Sequence, residues 1–418
     1  MKFALASYGT RGDIEPSTAV GRELQRRGHE VRLAVPPNLV DLVEAAGLDV
    51  VPYGPDQQQG FWDVDFLRKF WKVRQVLDSW RQTQDLLQVS LGEMSATLVA
   101  LADGADLLFT GPGFPQVPAN VAEYYGIPLA AMHYFPMLPN GQLAPNVPAP
   151  LVRTAMTLLD WPQRVVTKRA EDAQRRELGL PKATGPAPRR ISARGSLEIQ
   201  AYDQVVFPGL ADEWAKWRDQ RPFVGTLTIA MSTEADEDVA AWIAAGTPPI
   251  FFGFGSTAVK SPAQTIEMIG SACARLGERA LVGSGGSDFS TVPHFDHVKV
   301  VGPVNYATVF PACRAVVHHS GAGTTAAGLR AGVPTLSLWS LGDQRIWAGQ
   351  VKRLQVGTAR PFSATTQETL VGDLREILAP DCVDRARDIA TRMTNPAESA
   401  AKTADLLENF ARMPATNN

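Results

Sequence analysis

Short apolar runs alternate along the chain with longer amphipathic segments. In the first sixty residues, apolar runs of strand length occupy positions 2–7, 30–35 and 49–53, and the segments between them have helical composition. Short apolar runs bounded by turn residues are typical of strands buried on both faces of a parallel sheet. The order strand, helix, strand, helix, strand predicts a doubly wound sheet, with ligands at the carboxyl ends of its strands.

The same pattern recurs later in the chain. Further strands are predicted at 106–111, 128–133, 249–256, 279–283, 298–303 and 315–317. We therefore expect an α/β protein with two doubly wound, Rossmann-like domains. The first is predicted to span residues 1–220, an interdomain linker residues 221–240, the second domain residues 241–396, and a C-terminal helical segment residues 397–418.

Composition narrows the class of protein. A length of 418 residues favours two domains, and 45% hydrophobic with 20% charged residues is ordinary for a globular protein. A net charge of −3 gives no reason to expect a nucleic acid as partner. Three scattered cysteines fit a reducing compartment, and neither a signal peptide nor a run of ~20 apolar residues is evident. These features predict a cytoplasmic protein.

A glycine-rich turn follows the predicted strand at 315–317. The sequence Ser320-Gly-Ala-Gly323 permits a tight turn into a helix, whose N-terminal N–H groups and dipole would bind an anion. His318 or His319 and the hydroxyls after the turn could add donors to a diphosphate. The alternative is an ordinary turn with both histidines in the core. The pair Asp343-Gln344 after the next strand favours the binding interpretation, because these side chains suit sugar hydroxyls.

These residues carry a resemblance to a known family. The string His318-His-Ser-Gly-Ala-Gly-Thr-Thr325, followed by Ala331-Gly-Val-Pro334 and then by Asp343-Gln344, resembles the donor-binding signature of family 1 glycosyltransferases. It is most similar to the bacterial branch that acts on glycopeptide antibiotics, sterols and mycobacterial glycopeptidolipids. The resemblance implies a GT-B fold, in which two Rossmann-like domains face each other across a cleft. The first would bind the acceptor and the second the nucleotide sugar, with the last helix packing on the first domain.

The resemblance also implies which residues bind the donor. His319 aligns with the family's phosphate-binding histidine, although the roles of His318 and His319 could be reversed. Val304 lies where the family holds the nucleotide base, and many relatives have glutamine there, so the base stays open. The implied donor-binding residues are Gly12, Ser256, Val304, His319, Gly321, Ala322, Gly323, Thr324, Asp343 and Gln344.

A second glycine-containing loop, Gly9-Thr-Arg-Gly-Asp13, follows the first predicted strand. It lacks the GxGxxG pattern of a dinucleotide site, and the second strand ends in prolines rather than in an acidic residue. An oxidoreductase is therefore disfavoured. The resemblance implies that Asp13 is the general base that deprotonates the acceptor hydroxyl. The alternative role for Asp13 is helix capping, which is common for aspartate at a helix start.

The acceptor site is less well defined by the sequence. Aromatic residues are dense between positions 60 and 80, where amphipathic helix packing, an apolar acceptor wall and a membrane-facing surface all explain the spacing. Phe61 and Trp62 are candidate acceptor contacts, together with His133 at a predicted strand end, for which a structural role is equally compatible. The sequence Asp63-Val-Asp65 has the form of a metal-binding DxD, but it lies in the wrong domain.

A basic stretch, residues 168–194, holds eight Lys or Arg against three acids and is predicted to be a solvated, mobile loop, with attraction to anionic lipid as the minor alternative. The resemblance as a whole implies an inverting, metal-independent transfer of a hexose or 6-deoxyhexose from a dTDP-deoxysugar or UDP-glucose. The expected acceptor is an amphipathic small molecule or lipid, and no cofactor is expected. Peripheral membrane contact is a further possible interaction. A nucleotide-sugar epimerase and a non-catalytic helper subunit are the alternative functions.

Overall fold

The computed structural model describes residues 1–56, 76–144, 146–229, 233, 235–255, 259–340 and 342–413. Over these residues the chain forms two compact units, each built on a six-stranded sheet in which all strand pairs are parallel. Unit 1 comprises Met1–Ala201, Gly209–Leu227 and Pro396–Asn418, and unit 2 comprises Tyr202–Pro208 and Thr228–Asn395. The predicted α/β fold with two doubly wound sheets is confirmed.

Unit 1 has the strand order β3-β2-β1-β4-β5-β6, so the chain order reverses between β1 and β4. Ligands of doubly wound sheets bind beside the carboxyl ends of the strands at such a reversal. The strands are β1 (Lys2–Ala6), β2 (Glu30–Val35), β3 (Asp49–Pro52), β4 (Leu107–Thr110), β5 (Leu129–His133) and β6 (Leu197–Gln200). The helices are α1 (Arg11–Arg26), α2 (Val40–Glu44), α3 (Val76–Ala102), α4 (Gln116–Tyr125), α5 (Ala149–Glu177), α6 (Ala187–Ala193) and α7 (Leu210–Glu213).

Unit 2 has the strand order β12-β11-β10-β7-β8-β9, which reverses between β10 and β7. The strands are β7 (Ile250–Gly253), β8 (Ala280–Gly283), β9 (Val298–Val301), β10 (Ala315–His318), β11 (Thr335–Trp339) and β12 (Gly357–Pro361). The helices are α8 (Asp236–Ala244), α9 (Pro262–Leu276), α10 (Tyr306–Val309), α11 (Ala322–Ala331), α12 (Gln344–Arg353), α13 (Gln367–Ile377) and α14 (Pro380–Ala390). The glycine-rich turn joins β10 to α11 and therefore lies at the reversal.

The core of unit 2 is divided between the two faces of its sheet. Phe252 and Val317 belong to one buried cluster, and Phe251 and Val316 to the other. Adjacent residues of one strand thus enter opposite layers, as the period of two along a β-strand requires. His318, next along β10, is fully buried and follows this alternation. Apolar residues on both faces explain why these strands are continuous hydrophobic runs in the sequence.

The last helix, α15 (Pro396–Ala411), belongs to unit 1 and packs against α1. Its Leu407 is fully buried. Glu408 bonds Arg27 at 3.2 Å and His29 at 2.9 Å, just after the end of α1. Apolar burial and these partly buried polar contacts together attach the C-terminal helix to α1 and the residues that follow it.

The prediction of a mobile loop at 168–194 is wrong. Residues up to Glu177 continue α5, and Ala187–Ala193 form α6. The basic side chains are held by partners distant in sequence, because Glu123 pairs with Arg175 at 2.8 Å and with Arg194 at 2.8 Å. Within the described residues, no helix has both the length and the hydropathy needed to cross a membrane.

Candidate active site

Asp13 lies at the carboxyl edge of the first sheet, as the third residue of α1. Its Oδ2 accepts the Thr10 N–H at 2.7 Å and the Thr10 hydroxyl at 3.0 Å. Thr10 is the N-cap residue, so the aspartate takes the reciprocal part of a capping box. The capping role considered from the sequence is therefore present, but it uses one carboxylate oxygen of a residue that is only half-buried.

Gly9 determines whether Asp13 can adopt this position. A Cβ built on Gly9 would lie 2.3 Å from the Asp13 Oδ2, and the backbone φ of Gly9 is +153°. Any side chain would therefore displace the carboxylate. Gly12, predicted to contact the donor, is an exposed residue in the first turn of α1. Both glycines are evident in the sequence, but the contact of Gly9 with Asp13 depends on the three-dimensional turn and has no sequence signal.

Tyr134 holds the backbone of Asp13. Its hydroxyl donates to the Asp13 carbonyl oxygen at 2.6 Å. Burial, with the nearby Asp13 charge, raises the pKa of Tyr134 well above its ordinary value, so the phenol remains a proton donor. Gly111 allows this arrangement, because a Cβ there would lie 2.9 Å from the Tyr134 hydroxyl. Tyr134 is 121 positions away in the sequence, and no motif pointed to it.

His133 is the last residue of β5, two strands from β1 in the same sheet. Both of its ring nitrogens are buried without a hydrogen-bond partner in the described part of the chain. Burial, with a smaller effect of the positive Arg221, lowers the pKa of His133 to about 4, so the imidazole is neutral near pH 7. Phe61 and Trp62, the other predicted acceptor contacts, lie outside the described residues.

In unit 2 the glycine-rich turn opens directly into α11. Thr325 donates its N–H at 2.9 Å and its hydroxyl at 2.8 Å to the Gly321 carbonyl oxygen, which begins the helical hydrogen bonding. The N–H groups of Ala322, Gly323 and Thr324 precede this first bond and need other acceptors. A helix N-terminus of this kind attracts phosphate oxygens through its N–H groups and its dipole.

The two histidines before the turn have different surroundings. His318 is fully buried, and its Nδ1 accepts the Ser320 N–H at 2.9 Å, while burial lowers its pKa to about 3. His319 is partly exposed, and its ring packs between two glycines. A Cβ on Gly255 would lie 2.6 Å from the ring, and one on Gly321 2.6 Å from Nε2. Burial also lowers the pKa of His319, so both imidazoles are neutral near pH 7.

Asp343 and Gln344 follow β11, the strand adjacent to β10. Asp343 is the N-cap residue of α12 by position, but its side chain makes no capping hydrogen bond to the described chain. Desolvation by the surrounding protein raises the pKa of its carboxyl. Because the residue is exposed, contact with water limits this shift. Gln344 is oriented, because its Oε1 accepts the Ser340 N–H at 2.9 Å. The pair thus lies at the same sheet edge as the α11 N-terminus.

Val304 follows β9, which lies three strand positions from β10, or roughly 14 Å at the usual strand spacing. It is half-buried against the core beside Tyr306. The neighbouring Asn305 is used by the fold, since its Oδ1 caps α10 through the Ala307 N–H at 3.0 Å. Ser256, predicted to contact the donor phosphates, lies outside the described residues. The described residues contain no group of three His, Cys, Asp or Glu that could hold a metal ion.

The structure therefore distributes the predicted residues over the two units. Asp13, Gly12 and His133 lie in unit 1, and His319, Gly321 to Thr324, Asp343, Gln344 and Val304 lie in unit 2. Within unit 2 the residues from adjacent strands β10 and β11 converge on one edge. Among the described residues, that edge offers helix N–H groups that precede the first helical hydrogen bond, a neutral imidazole, and an amide with a carboxylate beside it.

Comparison with known proteins identifies the class of protein to which the chain belongs. Residues 3–140 match the glycosyltransferase family 28 N-terminal domain, and residues 264–413 match the erythromycin biosynthesis protein CIII-like C-terminal domain. An uncharacterized glycosyltransferase of Mycobacterium tuberculosis is 59% identical over 99% of both chains. The glycosyltransferase GtfE of Amycolatopsis orientalis is 29% identical over 97% of both.

A solved structure agrees with the fold. The glycosyltransferase VinC, in complex with dTDP, superposes with a TM-score of 0.66 at 17% identity, over 98% of this chain and 99% of that one. The chain belongs to the GT-B glycosyltransferases. Because the N-terminal match is to family 28, assignment to family 1 stays a prediction.

Proposed function

We propose that this glycosyltransferase is an inverting, metal-independent hexosyltransferase. It moves a hexose or 6-deoxyhexose from a dTDP-deoxysugar or UDP-glucose to a hydroxyl of an amphipathic acceptor, such as a glycopeptidolipid, another lipid or a natural-product aglycone. The observation that carries the proposal is the open N-terminus of α11 beside His319. The dTDP bound to the similarly folded VinC supports a nucleoside diphosphate as the ligand.

The α11 N-terminus binds the diphosphate leaving group. Phosphate oxygens accept the N–H groups of Ala322, Gly323 and Thr324, and His319 donates from its neutral ring. Charge on the diphosphate increases as the glycosidic bond breaks, and preorganised donors at that position stabilise the transition state more than the ground state. The leaving group is thereby stabilised by this chain's own groups.

Asp13 accepts the proton of the attacking hydroxyl. The acceptor oxygen forms a bond to the anomeric carbon while the bond from that carbon to the diphosphate oxygen breaks, and the proton moves to the Asp13 carboxylate. Attack from the face opposite the leaving group inverts the anomeric configuration. The contacts from Thr10 and Tyr134 support this role, because a base must be held within reach of the proton.

Asp343 and Gln344 hold the sugar. A carboxylate accepts hydrogen bonds from hydroxyls, and an amide both donates and accepts them. The Gln344 amide is oriented by its bond from the Ser340 N–H. These groups would bind the hydroxyls that glucose and its 6-deoxy relatives share, so the choice of sugar depends on other contacts.

An amphipathic acceptor and contact with anionic lipid are supported by α5. Four of its large apolar side chains are 43–62% exposed: Leu151, Leu158, Trp161 and Val165. Their spacing places them on one side of the helix. Arg164 and Arg189 lie 5.4 and 5.8 Å from the Trp161 ring, so positive charge adjoins the apolar surface. Trp161→Ser should lower cosedimentation with phosphatidylglycerol vesicles, and binding equal to wild type would refute this.

The reaction is tested by measuring nucleoside diphosphate release with candidate acceptors. Asp13→Asn should retain UDP or dTDP affinity in calorimetry but lose most turnover. A variant with wild-type turnover would refute the assignment of the base. An epimerase would convert the donor without any acceptor, and a helper subunit would release no diphosphate under any condition. A thermal-shift panel of nucleotides identifies the donor base, because a ligand that binds the native state raises its stability.

A further inference from the structure

Ser320 adopts a backbone conformation that is unusual for its residue type. Its φ is +67°, and among the non-glycine residues described only Phe114 and Gln355 also have positive φ. The left-handed region brings Cβ close to the following carbonyl oxygen, so residues other than glycine enter it at a free-energy penalty. Ser320 is fully buried, and no partner for its hydroxyl is found among the described residues. Something other than its own side chain must hold this turn.

The contact that can hold it comes from His318. The Ser320 N–H donates to His318 Nδ1 at 2.9 Å. Since Nδ1 accepts, the ring hydrogen resides on Nε2, and the tautomer is fixed. The His318 side chain is fully buried, and its backbone is paired in register with Ser337 of β11. His318, on the strand, therefore accepts the backbone N–H of the strained Ser320.

The geometry of the donor site depends on this turn. Ser320 lies directly between His319 and Gly321, the N-cap residue of α11. Its dihedral angles set the direction in which the helix leaves the strand. They also keep Gly321 against the His319 ring, where a Cβ on the glycine would lie 2.6 Å from Nε2. A change at Ser320 would move the helix N–H groups and the His319 ring relative to each other.

We propose that His318 is a positioning residue: its Nδ1 holds Ser320 in the left-handed conformation and thereby aims the α11 N-terminus and His319 at the diphosphate. The inference rests on the proposed donor site and assigns His318 no contact with the ligand. It explains why two adjacent histidines are present when only one is partly exposed. It also explains why serine is tolerated at a position where glycine has no steric penalty.

A set of variants separates positioning from ligand contact. Asn at position 318 places an oxygen near the former Nδ1, whereas Gln places its polar end near the former Nε2. His318→Gln should weaken UDP or dTDP binding in calorimetry about tenfold, equivalent to about 1.4 kcal/mol. His318→Asn should stay within about threefold of wild type, roughly 0.7 kcal/mol. Adding Ser320→Gly to His318→Gln should restore most of the affinity, because glycine adopts the left-handed conformation without support.

A second readout does not depend on any nucleotide. Ser320→Gly should raise the melting temperature more in the His318→Gln background than in wild type, because the strained turn is less supported there. Equal increments in the two backgrounds would overturn the proposal. So would a His318→Gln variant with wild-type affinity, or a folded double variant without recovered affinity. If the wild type binds neither nucleotide, the proposed donor site is wrong. The comparison of melting temperatures in the two backgrounds still decides whether His318 holds the turn.

Discussion

Replacing Gly323 by alanine should stabilise the fold and weaken the donor site at the same time. Gly323 is the second residue of α11, and a Cβ built on it meets no atom of the described chain within 4 Å. The methyl group therefore adds no clash, while alanine is better than glycine in a helix by up to about 1 kcal/mol. For a unit of this size, a gain of 0.5–1 kcal/mol corresponds to a rise of roughly 1–4 °C in melting temperature.

Gly323→Ala should weaken nucleotide binding although it stabilises the fold. If the diphosphate lies on the first N–H groups of α11, the new methyl group enters the same space and separates the oxygens from the helix. Hydrogen bonds to a charged group contribute about 1.5–3 kcal/mol each. Loss of one of them weakens binding of UDP or dTDP by at least about tenfold. Titration calorimetry of the nucleotide and a thermal melt of the free protein measure the two effects separately.

Two control variants separate the effect of Gly323→Ala on stability from its effect on nucleotide binding. Gly372 of α13 is exposed, and no atom of the described residues lies within 4 Å of its Cβ position, so Gly372→Ala should raise stability without changing nucleotide affinity. Gly321→Ala should lower both the stability and the nucleotide affinity, because its Cβ would lie 2.6 Å from His319 Nε2. A Gly323→Ala protein that is stabilised and binds the nucleotide like wild type would refute the anion site at the α11 N-terminus.

Two further predictions concern Asp13 and the buried histidine. Gly9→Ala should reduce turnover at least about tenfold without changing nucleotide affinity, because its Cβ would lie 2.3 Å from the Asp13 carboxylate; unaltered steady-state kinetics would contradict this. Burial holds His318 at a pKa of about 3, against 6.5 ordinarily, so the unfolded chain binds a proton that the native state excludes. Stability should therefore fall as the pH drops below about 6.5, by ~2 kcal/mol at pH 5 from this residue. Urea unfolding at pH 7 and pH 5 should show a smaller loss for His318→Asn, and an equal loss would disprove the assignment.

Most of the strands were predictable because parallel strands buried on both faces leave an uninterrupted apolar signal, whereas the edge strands β6 and β12 were not predicted. Residues 315–317, for example, are fully buried, and the glycine turn and helix follow them as expected. The basic stretch at 168–194 was misread for a physical reason. A charge run indicates a solvated segment only when its partners are absent, and Glu123, more than forty positions away, pairs with three of its arginines. Sequence spacing does not show such a partner.

The candidate site was predictable where chemistry follows directly after a strand. The turn from Ser320 to Thr324 and the pair Asp343-Gln344 fall in this class. The roles of the two histidines were left open by the sequence. The structure distinguishes their surroundings, because β10 ends at the fully buried His318 and the partly exposed His319 begins the turn. Contacts across the fold, such as Tyr134 with Asp13, had no signal in a single sequence.

The capping contacts of Asp13 are compatible with its proposed role as a base. Both Thr10 hydrogen bonds go to the same oxygen, Oδ2. A carboxylate can accept several hydrogen bonds, so the capping contacts at Oδ2 do not by themselves exclude proton transfer. A residue that served only as a cap would need only the contact with Thr10. The Tyr134 bond to the Asp13 backbone carbonyl is separate from these capping contacts. Gly9 leaves room for Oδ2, the Thr10 bonds hold that oxygen, and Tyr134 holds the Asp13 backbone, so the carboxylate is kept at the carboxyl end of β1. A general base must be held within reach of the proton that it accepts, and these contacts meet that requirement for Asp13.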